Sequence, residues 1–295
     1  MKKIIAILLV ALLAMSVTGC SLFQEVTTTV DPEVSSSTVQ FVASDITKSA
    51  VDKFFKSSGN DVKARAFGFT NDEPAQSGEI EMDVDKNLDY EAWAIGCHAV
   101  MSFVYKYDFE IFGMSEDSGE IKDRLSKDWD VNSKDDLVKA IHFVESSDSN
   151  DFAEIYDNIS ELSNSEYNEL IAYLNSGDPE LAVAAYMFPL TKELGDKWGS
   201  KEIKAWDWFA AMNLAEFGYA AGYLTLDETY SLMTPVIGKL KSTFSSWDES
   251  NDNFLDGLVW ANCINPADSS SPYQSLVKLY GDLKADGVFD SSVWN

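Results

Sequence analysis

Three groups of side chains in this sequence have the types that chemistry needs. Asp207 and Glu216 stand on one apolar stretch that also carries Asn213, and Asp227 and Glu228 follow just beyond it. Carboxylates that face one another across a cleft divide acid and base work, as glycan hydrolysis requires, when their surroundings separate the two pKa values. Nine residues separate Asp207 from Glu216, and at about 100° per residue this sets them on nearly opposite sides of a helix. A chain with 49 acidic residues also brings carboxylates close to aromatic rings by chance. No catalytic residue is assigned. Trp206, Asp207, Glu216 and Trp247 remain as a candidate binding surface, where tryptophan faces serve either a carbohydrate groove, with Trp208 and Trp260, or core packing.

The second group is sulfur and imidazole. The histidines are His98 and His142 and there is no C-x-x-C, so no metal site and no cofactor is assigned. His98 follows Cys97 directly, and consecutive helical residues point in different directions, so adjacency alone makes no nucleophilic pair. Cys97 and Cys263 both lie in apolar helical segments, where a buried free thiol is as natural as a disulfide between them. Asp248, Ser250 and Asp252 imitate a calcium loop, but Asn253 stands where the glycine turn is needed and Val259 where the terminal acid is needed. Glycine-rich phosphate loops, nucleophile elbows and the HExxH pattern are absent from the sequence.

The third group is a single thiol in a defined setting. Lys2 and Lys3 precede an apolar or small run from Ile4 to Ala14, and small residues lead to Gly19-Cys20. This is the basic, apolar and small-residue order of an export signal, and the apolar run is shorter than the roughly 18 to 20 residues of a spanning helix. Val17-Thr18-Gly19-Cys20 resembles the lipobox of bacterial lipoproteins, in which the cysteine is alkylated by a diacylglyceryl group and the bond between Gly19 and Cys20 is cut. One acyl chain gives only marginal attachment, whereas two or more on one sulfur make it stable. The expectation is a lipid-anchored protein of the bacterial cell membrane or surface, with its folded part outside the cytoplasm.

Charge narrows the partners. The 295-residue chain carries a formal charge of -27, and loss of residues 1–19 removes two lysines and no acids. A field of that sign repels phosphate backbones, so nucleic acid is not an expected partner. It also gives the domain no basic face for lying on an anionic membrane. The expected partners are the membrane, through lipid on Cys20, and an envelope or extracellular protein.

The elements that must position these residues are helical. Residues 1–19 read as signal peptide, 20–40 as lipidated cysteine and flexible tether, and 41–295 as the folded domain. A first helix is expected over 41–58, and 62–85 leaves room for a small hairpin. From Tyr90, residues Ala92, Ile95, Gly96, Ala99 and Phe103 recur at helical spacing. Ser133 and Asp136 have the offset of a helix cap, and further helices are readable near 151–162 and 165–175. Asp178-Pro179-Glu180 starts another, which Pro189 should bend or end. Ala205 to Ala221 is a long helix closed by Gly222, with small residues that admit a close neighbour. Thr225 and Glu228 cap the next helix, which continues to about Phe244 despite Pro235. Ser271-Pro272 starts a last helix through Leu283. Repeated caps and scarce alternation predict an all-α, single compact multi-helix domain.

Ala205-Trp206-Asp207, Asn213-Leu214-Ala215, Gly218-Tyr219-Ala220-Ala221-Gly222-Tyr223, Phe244-Ser245-Ser246-Trp247 and Gly257 to Trp260 together resemble the bacterial DUF1266 family, as do Trp129-Asp130-Val131 and the helix from Trp93 to Tyr107. The resemblance covers about residues 88–262. It implies a helical domain of uncharacterised function with no catalytic residues to carry over. Family members often have arginines at the positions matching Ala210 and Glu216, so an anion-facing role there does not transfer to this chain. The reading that results is a noncatalytic protein- or ligand-binding module. A cell-wall or glycan-directed hydrolase using paired carboxylates, and a structural envelope protein, are the alternatives.

Overall fold

The computed structural model describes residues 80–105, 112–113, 117–146, 152–175, 182–262, 264, 266, 272–289 and 291–294. The leader, Cys20, the tether, the helix expected over 41–58 and the 62–79 part of the hairpin lie outside the described residues. Residues 80–85 form no strand, and all regular structure among the described residues is helical, as the sequence predicts.

In chain order the helices are α1 (Tyr90–Tyr105), α2 (Ser118–Trp129), α3 (Lys134–Glu145), α4 (Phe152–Ser160), α5 (Asn164–Leu174), α6 (Ala182–Trp198), α7 (Lys204–Ala220), α8 (Leu226–Thr243), α9 (Trp247–Ala261) and α10 (Pro272–Ala285). Short 3-10 turns occupy Gly199–Lys201 and Ser291–Trp294. Packing divides them into two compact units, each assembled from separated stretches of sequence.

The larger unit contains Phe69–Ser149, Lys204–Gly257 and Tyr273–Asn295. Its axis is α7, against which α1, α2, α3 and α8 all pack. A helix enclosed in this way needs apolar or small residues on every side rather than one stripe. Phe209, Ala211, Met212, Leu214 and Ala215 are accordingly all buried. Gly218 is small for a packing reason, since a Cβ there would lie 2.3 Å from Leu137 Cδ2 on α3.

Caps set the ends of these helices. Ser133 Oγ accepts from the Asp136 N–H, while the Asp136 carboxylate returns to the Ser133 hydroxyl and the Asn132 N–H. Gly222 takes a left-handed φ of 71°, and the Tyr223 and Gly222 N–H groups donate back to the carbonyls of Gly218 and Tyr219, which closes α7. Thr225 and Glu228 form a complete capping box on α8. Helix α2 escapes the sequence reading; Asp117 caps its start, and Asp130, at φ 50°, ends it in a conformation that a short polar side chain tolerates.

The smaller unit contains Asn150–Ile203 and Leu258–Pro272 among its stretches, and in it α6 packs on α4 and α5. Gly195 on α6 accommodates the Tyr156 ring, whose Cδ2 would lie 2.1 Å from a Cβ at that position. Trp260 donates its indole N–H to Thr191 Oγ1 at 2.8 Å, and its ring meets Phe152 edge to face. Pro189 does not end the helix, contrary to one of the two outcomes expected of it: α6 runs through it to Trp198. The flanking Met187, Phe188, Leu190 and Leu194 are all buried, and their packing outweighs the roughly 3 kcal/mol that an interior proline costs.

Candidate functional site

Two ionisable side chains stand at core positions of otherwise apolar helices. His98 lies in the middle of α1 and Glu216 near the end of α7, and each is 0% exposed. Helix α7 needs Glu216 to point somewhere other than solvent, and the α1–α7 packing meets it with an imidazole. His98 Nδ1 is hydrogen-bonded to Glu216 Oε2. The other carboxylate oxygen, Oε1, accepts the backbone N–H of Gly113 at 3.0 Å. Gly113 has a φ of 95°, a backbone conformation that favours glycine, and a Cβ there would also sit tightly against Ala220 Cβ at 3.3 Å. One carboxylate thereby ties α1, α7 and the turn at Gly113 together.

An imidazole oriented by a carboxylate on one nitrogen resembles the base and its orienting partner in nucleophilic catalysis. Catalysis also needs a path for substrate, and neither residue of this pair has any exposed surface. The arrangement joins two helices through a buried hydrogen bond: removing one partner leaves a buried polar group unsatisfied, which costs about 1–3 kcal/mol. It is an internal clamp.

Cys263 lies outside the described residues, and Cys97, beside His98 on α1, is a buried free thiol. Burial pushes its pKa well above the ordinary thiol value, and the nearby charge of Glu216 adds to the rise. The thiol stays protonated and is a poor nucleophile.

The four residues carried forward as a binding surface do not form one. Glu216 and Asp207 are both interior, Asp207 being 3% exposed, because α7 is enclosed on opposite sides at once. Trp247 is 4% exposed and lies 4.9 Å from Trp93 and 5.5 Å from Trp294, ring centre to ring centre. It rests on Gly96, where a Cβ would fall 2.2 Å from the indole Cη2. Trp206 is half-buried and stacks on Phe254 at 5.5 Å. Trp208 donates its indole N–H to the Glu145 carbonyl at 3.1 Å, so it too is part of the core. The tryptophans pack; they do not line one groove together.

A second polar junction surrounds Glu145 at the end of α3. Its carbonyl also accepts from Lys239 Nζ of α8 at 2.8 Å, and its carboxylate meets Lys239 at 3.1 Å and His142 at 3.3 Å. Burial works to raise the carboxyl pKa, but the His142 hydrogen bond and the Lys239 ammonium outweigh it and hold the group below its ordinary value. Asp248, Ser250 and Asp252 lie in helix α9 instead of a loop, with the Ser250 hydroxyl bonded to the Trp247 carbonyl. Among the described residues no group of three or more His, Cys, Asp or Glu side chains is arranged to hold a metal ion.

The sequence weighs His98 only as a metal ligand and as a partner of Cys97, and neither points to Glu216, 118 positions away. The available signal was positional: one histidine and one glutamate, each at a core position of a strongly apolar helix. Gly113 carried no signal before the turn was seen.

Comparison with known proteins places the chain in a family but names no reaction for it. The uncharacterized protein YbeU of Escherichia coli (strain K12) is 28% identical over 167 residues, which cover 56% of this chain and 68% of that protein. No solved structure matches the chain. The profile of the family described as "Protein of unknown function (DUF1266)" matches residues 124–295. The match starts later than the resemblance at about 88 and continues beyond 262 through α10, which is bound to α9 by the 2.6 Å hydrogen bond from Tyr280 Oη to Asp248. The helical core built around α7, matched over more than half of the sequence, makes this chain a member of the DUF1266 family.

Proposed function

We propose that the protein is an extracytoplasmic lipoprotein, held at a membrane surface through lipid on Cys20, whose helical domain is a noncatalytic module that binds a protein or another extracellular ligand. The observation that carries the noncatalytic part is the burial of the side chains best suited to chemistry. His98, Asp207 and Glu216 are at most 3% exposed, and the contacts of His98 and Glu216 join helices instead of opening to a cleft. An acid or base without access to substrate does no work on it.

Support for the anchor comes from the residues themselves: two lysines, a short apolar run and a small-residue approach to Cys20. Among the described residues no helix is long and apolar enough to cross a membrane. Lipid on one sulfur is sufficient for stable attachment when it carries two or more chains.

Mass spectrometry of the amino-terminal peptide from purified membranes tests the anchor. The expected result is a peptide beginning at acylated Cys20, and Cys20→Ser should release the protein. An unmodified Cys20 on protein from the membrane fraction overturns it. For the module, crosslinking in live cells should give discrete adducts, and incubation with a panel of cell-wall fragments should return them intact. Turnover of any fragment overturns the noncatalytic reading.

A further inference from the structure

Several exposed acids on this protein have a lysine at hand: Lys139 meets Asp135, Lys192 meets Asp196, Lys278 meets Asp282 and Lys284 meets Asp248. In the segment leading into α1 no such pair forms among the described residues. Glu81, Asp83, Asp85, Asp89 and Glu91 are all exposed, Lys86 is the one cation among them, and none of the five makes an ion pair with a described residue. The segment is nevertheless fixed in place. The Asp83 N–H donates to Ser231 Oγ at 3.2 Å, the Thr234 hydroxyl donates to the Asp83 carbonyl at 2.8 Å, and the Asp85 N–H donates to Tyr90 Oη at 2.8 Å.

Beside these carboxylates runs a row of aromatic rings that the core does not fully cover. Tyr219 is 38% exposed; its ring centre lies 5.4 Å from that of Phe112, which lies 5.9 Å from Tyr230. Tyr230 stacks in turn on Tyr90 at 4.3 Å. Phe112 and Tyr230 are half-buried, and Met82, 58% exposed, approaches Ser231 one residue beyond Tyr230. Burial raises the Tyr230 phenol pKa, and the charges of Glu91 and Asp89 add to the rise, which places their negative field over this row. Aromatic faces attract cations, arginine most often, and exposed carboxylates add charge complementarity. The same chemistry is already in use nearby, where Lys122 Nζ sits 5.5 Å from the centre of the Tyr223 ring.

We propose that the row Tyr219, Phe112 and Tyr230, edged by Met82, Asp89 and Glu91, is the docking surface for an arginine- or lysine-rich segment of a partner protein. The cationic heads lie over the tyrosine faces and pair with the carboxylates, while the methylene stems cover Met82 and Phe112. This rests on the binding-module reading and gives that module its surface and the chemistry of its partner.

The test uses the full chain and a fluorescent nona-arginine peptide at about 150 mM salt, where long-range attraction is screened. Tyr219→Ala should weaken binding about fivefold, and Asp89→Asn with Glu91→Gln at least about threefold. The charge-matched control on α10, Asp282→Asn with Asp286→Asn, should change it by less than about twofold. Circular dichroism checks that each variant is folded. A photocrosslinker at Tyr219 should capture the peptide, and one at the exposed Val277 of α10 should not. Equal weakening by both double variants, an unchanged Kd in Tyr219→Ala, or capture from Val277 alone overturns this surface. Failure of the peptide to bind also overturns it. The live-cell adducts described above judge the binding module separately, because they do not depend on which face is used.

Discussion

Trp247 occupies the space that a side chain on Gly96 would need, with its Cη2 atom 2.2 Å from the position of a Cβ there. Alanine is the better helix former by about 1 kcal/mol, so an exposed Gly-to-Ala change in a helix would stabilise. Here the indole is held between Trp93 and Trp294 and has no open side to retreat to. Overpacking of this kind costs about 1–3 kcal/mol or more, and it decides the sign. Gly96→Ala should lower the midpoint of denaturant unfolding, whereas the same change in a Trp247→Leu background should be neutral or stabilising. A stabilised Gly96→Ala single variant would show that the clash is relieved at little cost.

The His98–Glu216 clamp predicts a non-additive pair. Either His98→Leu or Glu216→Leu alone leaves a buried polar group without its partner and should cost about 1–3 kcal/mol. The double variant should recover much of that loss, because two apolar groups of similar size leave nothing unpaired. A double-mutant cycle from denaturant unfolding measures the coupling. Simple additivity would mean that the two residues act independently.

Acid should weaken the junction around Glu145. Its carboxyl is held below the ordinary value, so the folded protein binds fewer protons than the unfolded chain as pH falls toward 4. The stabilisation is complete above the unfolded value of about 4.3 and drains away as pH drops through the depressed folded value. Asp248 adds in the same direction through its hydrogen bonds from Lys284 and Tyr280, although its exposure makes the contribution small. Urea melts between about pH 6 and pH 2.5 should show the loss, and Glu145→Gln should flatten it. An unchanged slope in that variant would remove Glu145 as a source.

Cys97 should be silent toward thiol reagents in the folded protein. Burial and the neighbouring Glu216 charge keep it protonated, and no surface admits the reagent. In a Cys20→Ser, Cys263→Ser background its labelling rate should follow global unfolding through a denaturant series. Rapid labelling in native buffer would place the thiol near a route from solvent.

What the sequence made legible was local. Ser133 with Asp136, Gly222, and Thr225 with Glu228 each announce a helix end through side chains only a few residues apart, and each forms the expected cap or turn. The small residues of α7 likewise signalled close packing, which Gly218 against Leu137 supplies. The site was not legible for the opposite reason. His98 and Glu216 are 118 positions apart, and Gly113 enters through a turn whose conformation no periodicity encodes. Tryptophan identity was equally silent about direction: Trp206 and Trp208 leave the same helix toward Phe254 and the Glu145 carbonyl respectively. Helix α2 went unread because its buried face amounts to Ile121 and Leu125 in a mostly charged stretch.

The unit around α7 is drawn from three stretches that end at Ser149, Gly257 and Asn295, with the material of the other unit between them. The histidine of α1 and the glutamate that meets it come from different stretches, so more than a hundred residues of chain must be closed into a loop before the clamp can form. Assembly of this unit is therefore governed by distant pairings, which slow folding relative to a bundle of sequence neighbours.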